Sequence, residues 1–575
     1  MTRYRWKLLP AIRESDVQQY GPLVTQLLVN RGITTPEAQE AFLSTDERLL
    51  GNPFLLPDMS RAIKRLALAL KNHEKIAVYG DFDADGICGT TLLVEGLQSL
   101  GAVVIPYLPH RVEDGYGLNS LALDYLRQLG VRLVISVDCG ITSFAEAVEA
   151  GNLGMDLIIT DHHRPLTGKQ HTVNSTQSTV CSLPPALAVI DPWRLDSLYP
   201  FPHLCGTGVA YKLLQALYQA LGREGPDSRI LELVAIGTVA DMQPLTGENR
   251  YLVARGLKEL NRTSRPGLQG LISVSGLTAG RVESGDISWV IGPRLNASGR
   301  IDHALISYNL FLSRTLAEAE EKARSIEKLN EQRQKLTEEA YEKAREQVIP
   351  DAPLIFAQGD FPQGVIGIVA GKLSREFYRP AFVVQEGEKS FRGSARSILE
   401  FDLVRALSSC EELLERYGGH PGAAGFTVAP EKVASFRERI LGMAAEALAG
   451  QDLCPTISVD ACFPVSQIAG DTYGELSRLE PFGQENPRPV FLSRNVSVIG
   501  EERMGKAGQH LRLKLKDKEK VMTAVGFNLG KGVPGLDRSI NVDILYSLEL
   551  NRWRGVETVR LELLDMEQSR DGQSP

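Results

Sequence analysis

The stretch Ile76-Ala77-Val78-Tyr79-Gly80-Asp81-Phe82-Asp83-Ala84-Asp85-Gly86 decides the fold, because a short apolar run leads directly into three carboxylates at alternate positions. The apolar run predicts a buried strand. Carboxylates spaced this closely would repel one another, and a divalent cation removes that penalty. An EF-hand loop begins with a similar pattern, but its twelfth position would here be Leu92 in place of glutamate. The stretch therefore predicts a metal site at the carboxyl end of a strand, where open α/β sheets bind ligands.

Further apolar runs repeat this plan between residues 75 and 240, each followed by a longer helical stretch. They lie at 103–105, 133–137, 157–159 and 188–190. Near-continuous apolar strands that alternate with helices predict a parallel sheet covered on both faces. The polar residues 164–185 predict a long surface loop.

Aspartate and histidine recur where these apolar runs end. Asp138 follows the run 133–137, the triplet Asp161-His162-His163 follows the run 157–159 and Thr160, and Asp241 follows the apolar segment 233–240. We interpret these residues as lying at equivalent ends of neighbouring elements. A lone histidine is most often structural, but two adjacent histidines among several acidic strand ends favour a metal centre. Carboxylate with imidazole suits Mn²⁺ better than Ca²⁺.

The composition of the chain excludes several classes of protein. The chain has 575 residues and a net charge of −8, with 43% hydrophobic and 23% charged residues. These values are ordinary for a soluble globular protein of about three to five domains, and they exclude a disordered chain or a coiled-coil rod. No apolar run approaches the roughly 18 residues of a membrane helix, and no secretory signal is expected. The 7 cysteines form no CxxC pair, which is typical of a reducing, cytoplasmic location.

Several polar motifs are candidates for binding phosphate. Each has a plainer alternative, namely a tight turn for the glycines and surface ion pairs for the arginines. On loops between predicted elements, the stretch 418–426 combines four glycines with a histidine, and 393–397 and 292–300 add hydroxyl, amide and guanidinium groups. The candidates are Arg111, Arg294, Asn296, Arg300, Ser394, Arg396 and His420.

Two further segments shape the second half of the chain. Residues 315–348 contain nine acidic and seven basic residues with no glycine or proline, which predicts a long helix between two domains; a helix lying on one domain is the alternative. The stretch His510-Leu511-Arg512-Leu513-Lys514-Leu515-Lys516 alternates strictly, which predicts a strand with cations on one face. Arg512, Lys514 and Lys516 suit a groove that follows a nucleic-acid backbone, although a solvated edge strand has the same pattern.

Together these motifs resemble the DHH phosphoesterase superfamily, which is named for the triplet found here at Asp161-His162-His163. The resemblance implies two divalent cations, with Mn²⁺ preferred and Mg²⁺ possible, and Asp138 as their bridge. The implied ligands are Asp83, Asp85, Asp138, His162 and Asp241. Asp81 would be a further acidic contributor to catalysis, and His163 would lie beside the reacting phosphate.

The order of the parts is similar to that of the single-strand-specific exonucleases in this superfamily. The resemblance implies an α/β fold with a parallel-sheet DHH catalytic domain, a long connecting helix, a second α/β domain (the DHH-associated domain) and a C-terminal β-rich OB-fold. The expected boundaries are 46–312, 313–349, 350–450 and 451–566, with a helical segment at 1–45 and a tail at 567–575.

The same resemblance implies 5′→3′ degradation of single-stranded DNA to 5′-mononucleotides, in DNA repair and recombination. It also implies a monomer that works with a single-strand-binding protein and a RecQ-type helicase. Two alternatives stay open. One is a phosphodiesterase of the same superfamily that acts on short oligonucleotides or cyclic dinucleotides. The other is a non-catalytic, single-strand-binding scaffold, against which the intact ligand set argues.

Overall fold

The computed structural model describes residues 4–13, 19–111, 113–171, 177–505, 507–530, 541–553 and 556–569. The chain divides into two compact units. One is Leu50–Asp452, and the other combines Met1–Leu49 with Leu453–Pro575. None of the helices in the described ranges has both the length and the apolar character that a membrane span requires.

The first residues belong to the smaller unit. They form β1 (Arg5–Leu8), α1 (Pro22–Asn30) and α2 (Pro36–Ser44). The sequence predicted a helical segment at 1–45, and the structure adds a strand, because β1 pairs in parallel with Thr456–Val459. The stretch 1–45 is therefore built together with the C-terminal part of the chain.

A five-stranded parallel sheet forms the core of the larger unit, as predicted. Its strands are ordered β3-β2-β4-β5-β8, and helices connect them. The elements are α3 (Met59–Lys71), β2 (Lys75–Gly80), α4 (Ala84–Ser99), β3 (Val103–Tyr107), α5 (Ser120–Gln128), β4 (Val131–Val137), α6 (Phe144–Asn152), β5 (Asp156–Thr160), β6 (Thr167–His171), β7 (Gln177–Cys181) and β8 (Ala188–Ile190). Strands β6 and β7 pair antiparallel, so the segment 164–185, predicted as a long surface loop, contains a two-stranded hairpin; residues 172–176 lie outside the described ranges.

A group of helices follows the sheet. They are α7 (Gly206–Ala220), α8 (Leu231–Ala240), α9 (Gly247–Leu260), α10 (Pro266–Val274), α11 (Ser284–Asp286), α12 (Gly292–Ile301), α13 (Leu305–Phe311) and α14 (Leu316–Arg345). A π-helical turn, Ile287–Ile291, joins α11 to α12. The segment before Asp241 is thus helix α8 and not a strand; its residues 232–239 are all buried, which explains its apolar sequence. The stretch 292–300, expected on a loop, lies in α12.

Helix α14 connects the two halves of the larger unit, as predicted, but it is packed along its length. Its first half buries Ala319, Ala323 and Ile326 and packs against α10 and α12. Its second half places Tyr341 and Ala344 in the core of the second α/β domain.

The second α/β domain contains a mixed sheet. Its elements are β9 (Ile355–Gly359), α15 (Ile366–Phe377), β10 (Ala381–Gln385), β11 (Phe391–Arg396), α16 (Leu403–Ser408), β12 (Leu414–His420), β13 (Ala423–Val428) and α17 (Val433–Ala447). The sheet order is β12-β13-β11-β10-β9. The glycine-rich stretch 418–426 is a hairpin formed by β12 and β13, and Ser394 and Arg396 lie on strand β11. The expectation that both motifs are loops was therefore wrong.

The chain then returns to the smaller unit and forms a closed barrel. Its elements are β14 (Thr456–Val459), β15 (Ala461–Cys462), α18 (Thr472–Ser477), β16 (Phe491–Met504), β17 (His510–Asp517), β18 (Lys520–Gly526), β19 (Asn541–Trp553) and β20 (Val556–Gln568). The barrel strands run in the order β16-β17-β18-β20-β19, and β19 pairs back to β16, which confirms the predicted OB-fold. The expected tail begins inside β20, and residues 570–575 lie outside the described ranges. Val24, Leu27 and Phe42 complete the barrel core.

Candidate active site

Three aspartates stand in a row at the carboxyl edge of the parallel sheet. Asp81, Asp138 and Asp161 directly follow β2, β4 and β5. Each donates its backbone N–H to the carbonyl that ends the neighbouring strand, at 3.2, 3.1 and 3.1 Å. The hydrogen-bond ladder of the sheet thus continues one residue beyond each strand and holds these carboxylates side by side.

The backbone at Asp138 is strained, since this residue has a φ of 63°. A non-glycine residue in this left-handed region is uncommon and is typical of functional sites. The turn packs tightly against the start of α7, where a Cβ on Gly206 would lie 2.4 Å from the Asp138 Cβ. Glycine at 206 therefore allows the aspartate to reach the centre of the site.

The first turn of α4 is fixed by several hydrogen bonds. Asp83 caps the helix by accepting the backbone N–H groups of Asp85 and Gly86, at 2.9 and 3.1 Å. The carboxylate of Asp85 in turn accepts the N–H groups of Gly206 and Thr207 from α7, at 2.6 and 2.9 Å. The turn between β2 and α4 is thus held by hydrogen bonds both within α4 and from α7.

The imidazole of His162 lies at the centre of this carboxylate cluster. Its Nε2 is 2.9 Å from Asp138 Oδ1, 3.5 Å from Asp241 Oδ2 and 3.9 Å from Asp85 Oδ2. Within the described ranges, Asp81 Oδ1, Asp138 Oδ1 and His162 Nε2 are buried without a hydrogen-bond partner. Buried polar atoms normally have partners, and a bound cation would supply one.

The donor set therefore fits divalent cations. Ligand atoms come within 4.8 Å of one another in three groups. The groups are Asp81, Asp83 and Asp138; Asp85, His162 and Asp241; and Asp138, His162 and His163. Asp138 and His162 each belong to two of these groups. Carboxylate oxygens with imidazole suit Mn²⁺ and, with more oxygen ligands, Mg²⁺.

The pKa shifts of the aspartates also indicate that the cluster lacks compensating positive charge. Burial, with the charge of Asp83 added, raises the pKa of Asp81 well above its usual range. Burial and the charges of Asp85 and Asp83 do the same to the pKa of Asp138. Burial raises the pKa of Asp241 to about 7, with Asp85 and Asp83 adding to the shift and His162 opposing it. The cluster thus holds more negative charge than it can stabilise without cations.

His163 is oriented by two neighbours. Its Nδ1 lies 2.8 Å from Asp161 Oδ1 and 3.0 Å from the hydroxyl of Tyr116. Burial disfavours its charged form, but the charge and hydrogen bond of Asp161 outweigh that effect and raise the pKa of His163. With Nδ1 engaged, Nε2 is the nitrogen that can approach a substrate.

Comparison with known proteins identifies the family. Residues 75–238 match the DHH family, N-terminal domain; residues 351–446 match the DHHA1 domain; and residues 459–565 match the RecJ OB domain. The chain is 38% identical to the single-stranded-DNA-specific exonuclease RecJ of Bacillus subtilis, over 95% of this chain and 68% of that protein. The chain belongs to the RecJ family. It is also 35% identical to the RecJ of Thermus thermophilus, over 89% of this chain and 72% of that protein.

Solved RecJ structures share the complete fold. The crystal structure of Thermus thermophilus RecJ in complex with Mn²⁺ covers 100% of this chain and 80% of its own, with a TM-score of 0.83 and 31% identity. The same protein in complex with Mg²⁺ gives a TM-score of 0.77 at 29% identity, over 99% of this chain and 79% of its own. Both metals expected from the sequence therefore occur in a RecJ structure.

Arginines from both α/β domains of this RecJ-family chain gather beside the metal ligands. Burial, together with the charges of Arg111, Arg333 and Arg396, lowers the pKa of Arg300 to about 9, against the opposing effect of Asp83. Arg111 lies over the ring of Phe82, 4.6 Å from its centroid. Within the described ranges, these four guanidiniums form no ion pair. We call Arg111, Arg300, Arg333 and Arg396 the arginine pocket.

Ser394 extends this pocket towards the start of α15. Arg396 donates to Ser394 Oγ at 3.3 Å. A Cβ on Gly367, in the first turn of α15, would lie 3.1 Å from Ser394 Oγ and 3.3 Å from a terminal nitrogen of Arg396. Glycine at 367 thus leaves room for these groups at the N-terminus of a twelve-residue helix, where backbone N–H groups favour an anion.

The other predicted phosphate contacts have different surroundings. Arg294 is neutralised by both carboxylate oxygens of Glu327, at 2.5 and 3.0 Å. Asn296 accepts the backbone N–H of Ala84 at 2.7 Å, so it positions the metal loop. His420, at the end of β12, feels the charges of His163 and Arg164, which add to burial in lowering its pKa.

The cationic strand has the geometry that its sequence predicts. Leu511, Leu513 and Leu515 are fully buried, while Arg512, Lys514 and Lys516 are exposed on the other face of β17. Arg512 pairs with Glu502 across to β16 at 3.0 Å. Among the described residues, Lys514 and Lys516 form no such pair.

Sequence reasoning missed several residues of the site. Tyr116 donates to the carbonyl of Asp138 at 3.2 Å and contacts His163; no local motif marks it. Arg164 lies 4.4 Å from the ring centroid of Trp193, next in the chain to His163. Asp191 follows β8 as the other aspartates follow their strands, so the strand-end pattern could have found it. Burial and the charge of Asp161 raise the pKa of Asp191 to about 8.

Proposed function

We propose that this RecJ-family chain is a metal-dependent exonuclease that degrades single-stranded DNA from the 5′ end to 5′-mononucleotides, in DNA repair and recombination. One observation carries the proposal. Among the described residues, three buried ligand atoms, on Asp81, Asp138 and His162, lack hydrogen-bond partners, and they lie beside a pocket of arginines that form no ion pairs. A metal site next to an anion pocket is the arrangement that phosphodiester hydrolysis needs.

The protein groups have distinct tasks. Asp83, Asp85, Asp138, His162 and Asp241 would hold two divalent cations, Mn²⁺ by preference, and Asp81 would be a further acidic contributor. When bound, the cations supply an activated water and neutralise charge on the scissile phosphate. His163, charged and oriented by Asp161, donates from Nε2 to a phosphate oxygen and stabilises the developing negative charge.

The arginine pocket sets the direction of digestion. Arg396, Ser394 and Arg111 bind the terminal 5′ phosphate at the N-terminus of α15, and Arg300 supports them. An anion placed here relieves the mutual repulsion of the guanidiniums, and guanidinium–phosphate hydrogen bonds are among the strongest in proteins. A 5′ end is thereby held next to the metal ligands, so hydrolysis releases the terminal nucleotide.

The smaller unit contributes affinity for the strand. Arg512, Lys514 and Lys516 follow the phosphate backbone along one face of an OB-fold barrel. A monomeric state, a single-strand-binding protein and a RecQ-type helicase as partners stay predictions. A cytoplasmic location is supported by the free thiols of Cys88, Cys139, Cys205, Cys410, Cys454 and Cys462.

The first experiment uses a DNA of about 30 nucleotides, a length that exceeds the site size of one OB-fold, labelled at the 3′ end and supplied as single strand or blunt duplex with Mn²⁺. We expect progressive shortening of the single strand alone, stopped by EDTA and by Asp138→Ala. Immediate loss of the label would reverse the polarity. An intact strand would refute the exonuclease, and a dinucleotide assay would then test the small-substrate alternative.

A second experiment isolates the 5′-phosphate pocket. Arg396→Ala is compared with Arg392→Ala, an exposed arginine on the same strand, on strands with a 5′ phosphate or a 5′ hydroxyl. We expect Arg396→Ala to raise KM for the phosphorylated strand roughly tenfold or more, as for a lost charged hydrogen bond, and to abolish the preference for a 5′ phosphate. An unchanged preference would remove Arg396 from the pocket.

A further inference from the structure

Trp289 is the most exposed aromatic side chain among the large hydrophobic residues of the described ranges, with 75% of its surface accessible. Tryptophan is usually well buried, so exposure of this extent is informative. The residue lies in the π-helical turn Ile287–Ile291. Such turns are rare and occur frequently at functional sites.

The π-helical turn lies beside a metal ligand. Gly292, three residues after Trp289, packs against the end of α8, since a Cβ on Gly292 would lie 3.2 Å from the Cβ of Ala240. Asp241 is the next residue and is part of the metal-ligand cluster. Trp289 is therefore within one helical turn of the contact that adjoins Asp241.

Trp289 also continues the face of α12 that points to the site. Ile291, Leu295 and Ser298 are buried on the core side of this helix. The opposite positions recur at intervals of three to four residues, at 289, 293, 296 and 300. Two of these positions already have roles, because Asn296 holds the metal loop and Arg300 lies in the arginine pocket.

The spacing along this face follows the order of a bound strand. At 1.5 Å per residue, Trp289 lies roughly 16 Å from Arg300 along the helix, with Asn296 and the metal loop between them. If Arg300 marks the 5′-phosphate end and the metal loop marks the scissile bond, Trp289 marks the side from which the remaining strand arrives. An exposed indole at this position offers a flat surface on which any base can stack, because stacking needs no base-specific hydrogen bonds.

We propose that Trp289 is a stacking platform for a base at least two nucleotides downstream of the scissile phosphate, beyond the end of a dinucleotide. This inference rests on the proposed exonuclease function. Every base has a π face, so the contact holds any sequence and keeps the shortened strand in place after each cleavage. Trp289 is thus a positioning residue for long strands.

The test measures binding and cleavage separately. Affinity is measured on the Asp138→Asn background, which prevents cleavage, with a 5′-phosphorylated oligothymidylate of about 20 nucleotides, longer than one OB-fold covers. We expect Trp289→Ala to raise Kd roughly tenfold, the loss of one stacked base, and Trp289→Phe to restore most of the affinity. Tyr125→Ala, which removes another exposed aromatic side chain, is the control and leaves Kd unchanged. On the active background, hydrolysis of the dinucleotide is unaffected by Trp289→Ala.

An abasic scan distinguishes stacking from a structural role. A single abasic nucleotide is moved along the strand; in the Trp289 protein one downstream position weakens binding, and in Trp289→Ala the same position has no effect. Equal sensitivity in both proteins would overturn the proposal, as would equal loss of the dinucleotide and long-strand activities. Self-association that Trp289→Ala abolishes would instead identify a protein interface. If the parent protein cleaves no strand, the proposed function is refuted. Normal cleavage and binding that do not depend on Trp289 would refute only the role of Trp289.

Discussion

Replacing Asp241 by asparagine is expected to stabilise the metal-free protein at about pH 8 while abolishing its activity. Burial, with the charges of Asp85 and Asp83, raises the pKa of Asp241 from 3.8 to about 7, against the opposing effect of His162. A carboxyl group with a raised folded-state pKa does not affect stability below the unfolded value of roughly 4. As pH rises from there to about 7, the unfolded chain loses its proton first, so stability falls.

The magnitude follows from the size of that shift. About three pKa units at roughly 1.4 kcal/mol each give about 4 kcal/mol above pH 7, and about 1.5 kcal/mol at pH 5. These are upper limits, because the neighbouring carboxylates share the same repulsion. Asparagine removes the charge and retains an oxygen for the hydrogen bond from Gln243, which is 2.8 Å long. The gain from Asp241→Asn should therefore be larger at the higher pH.

Urea unfolding of EDTA-treated protein at about pH 5 and pH 8 measures this difference. Asp227→Asn is the control, because Arg229 lowers the pKa of that aspartate and its neutralisation gives no gain. Added Mn²⁺ should reverse the order, since it stabilises the parent by binding the folded state and binds the variant weakly. A gain that does not increase with pH, or a variant less stable than the parent at pH 8 without metal, would refute the carboxylate repulsion.

Three further changes test other parts of the structure. Asn296→Ala removes the side-chain acceptor of the metal loop; we expect activity to fall roughly tenfold and to be partly restored by excess Mn²⁺, as for lost outer-shell support, and steady-state kinetics across Mn²⁺ concentrations will measure both. The double change Lys514→Ala and Lys516→Ala removes two phosphate contacts, so the slope of log Kd for single strands against log salt should fall by about 1.4; an unchanged slope would exclude this surface. Lys212→Met breaks a fully buried ion pair with Glu248, 2.6 Å long, and should lower the free energy of unfolding by about 3–5 kcal/mol, as thermal or urea unfolding will show.

The parallel sheet and the cluster of candidate metal ligands at its edge could be predicted because both depend on local patterns. Apolar runs identify strands, and the carboxyl ends of parallel strands meet at one edge, so residues such as Asp81 and Asp138 are brought together by topology alone. The same reasoning failed for the segment before Asp241. A helix buried on every side has no amphipathic period, so periodicity cannot separate α8 from a buried strand.

The roles of several site residues could not be predicted because they depend on partners that are distant in the chain. Arg294 and Arg300 are equivalent in their motif, yet Arg294 is paired with Glu327, thirty-three residues away, whereas Arg300 lies among other arginines. Tyr116 reaches the site through a loop whose sequence contains no catalytic signature. Such assignments require the packing of separate elements, which spacing along the chain does not encode.

The smaller unit takes its strands and helices from both ends of the chain, and this has a consequence for the order of folding. Arg5 pairs with Thr456, and the apolar side chains of α1 are completed by barrel residues near the C-terminus. During synthesis α1 therefore lacks the barrel residues against which it packs while the intervening residues 50–452 emerge and fold. Closing an unfolded loop of that length costs about 5 kcal/mol, most of which disappears once the intervening unit is compact. The cationic face of β17 is thus assembled last, in chains whose larger unit has already folded.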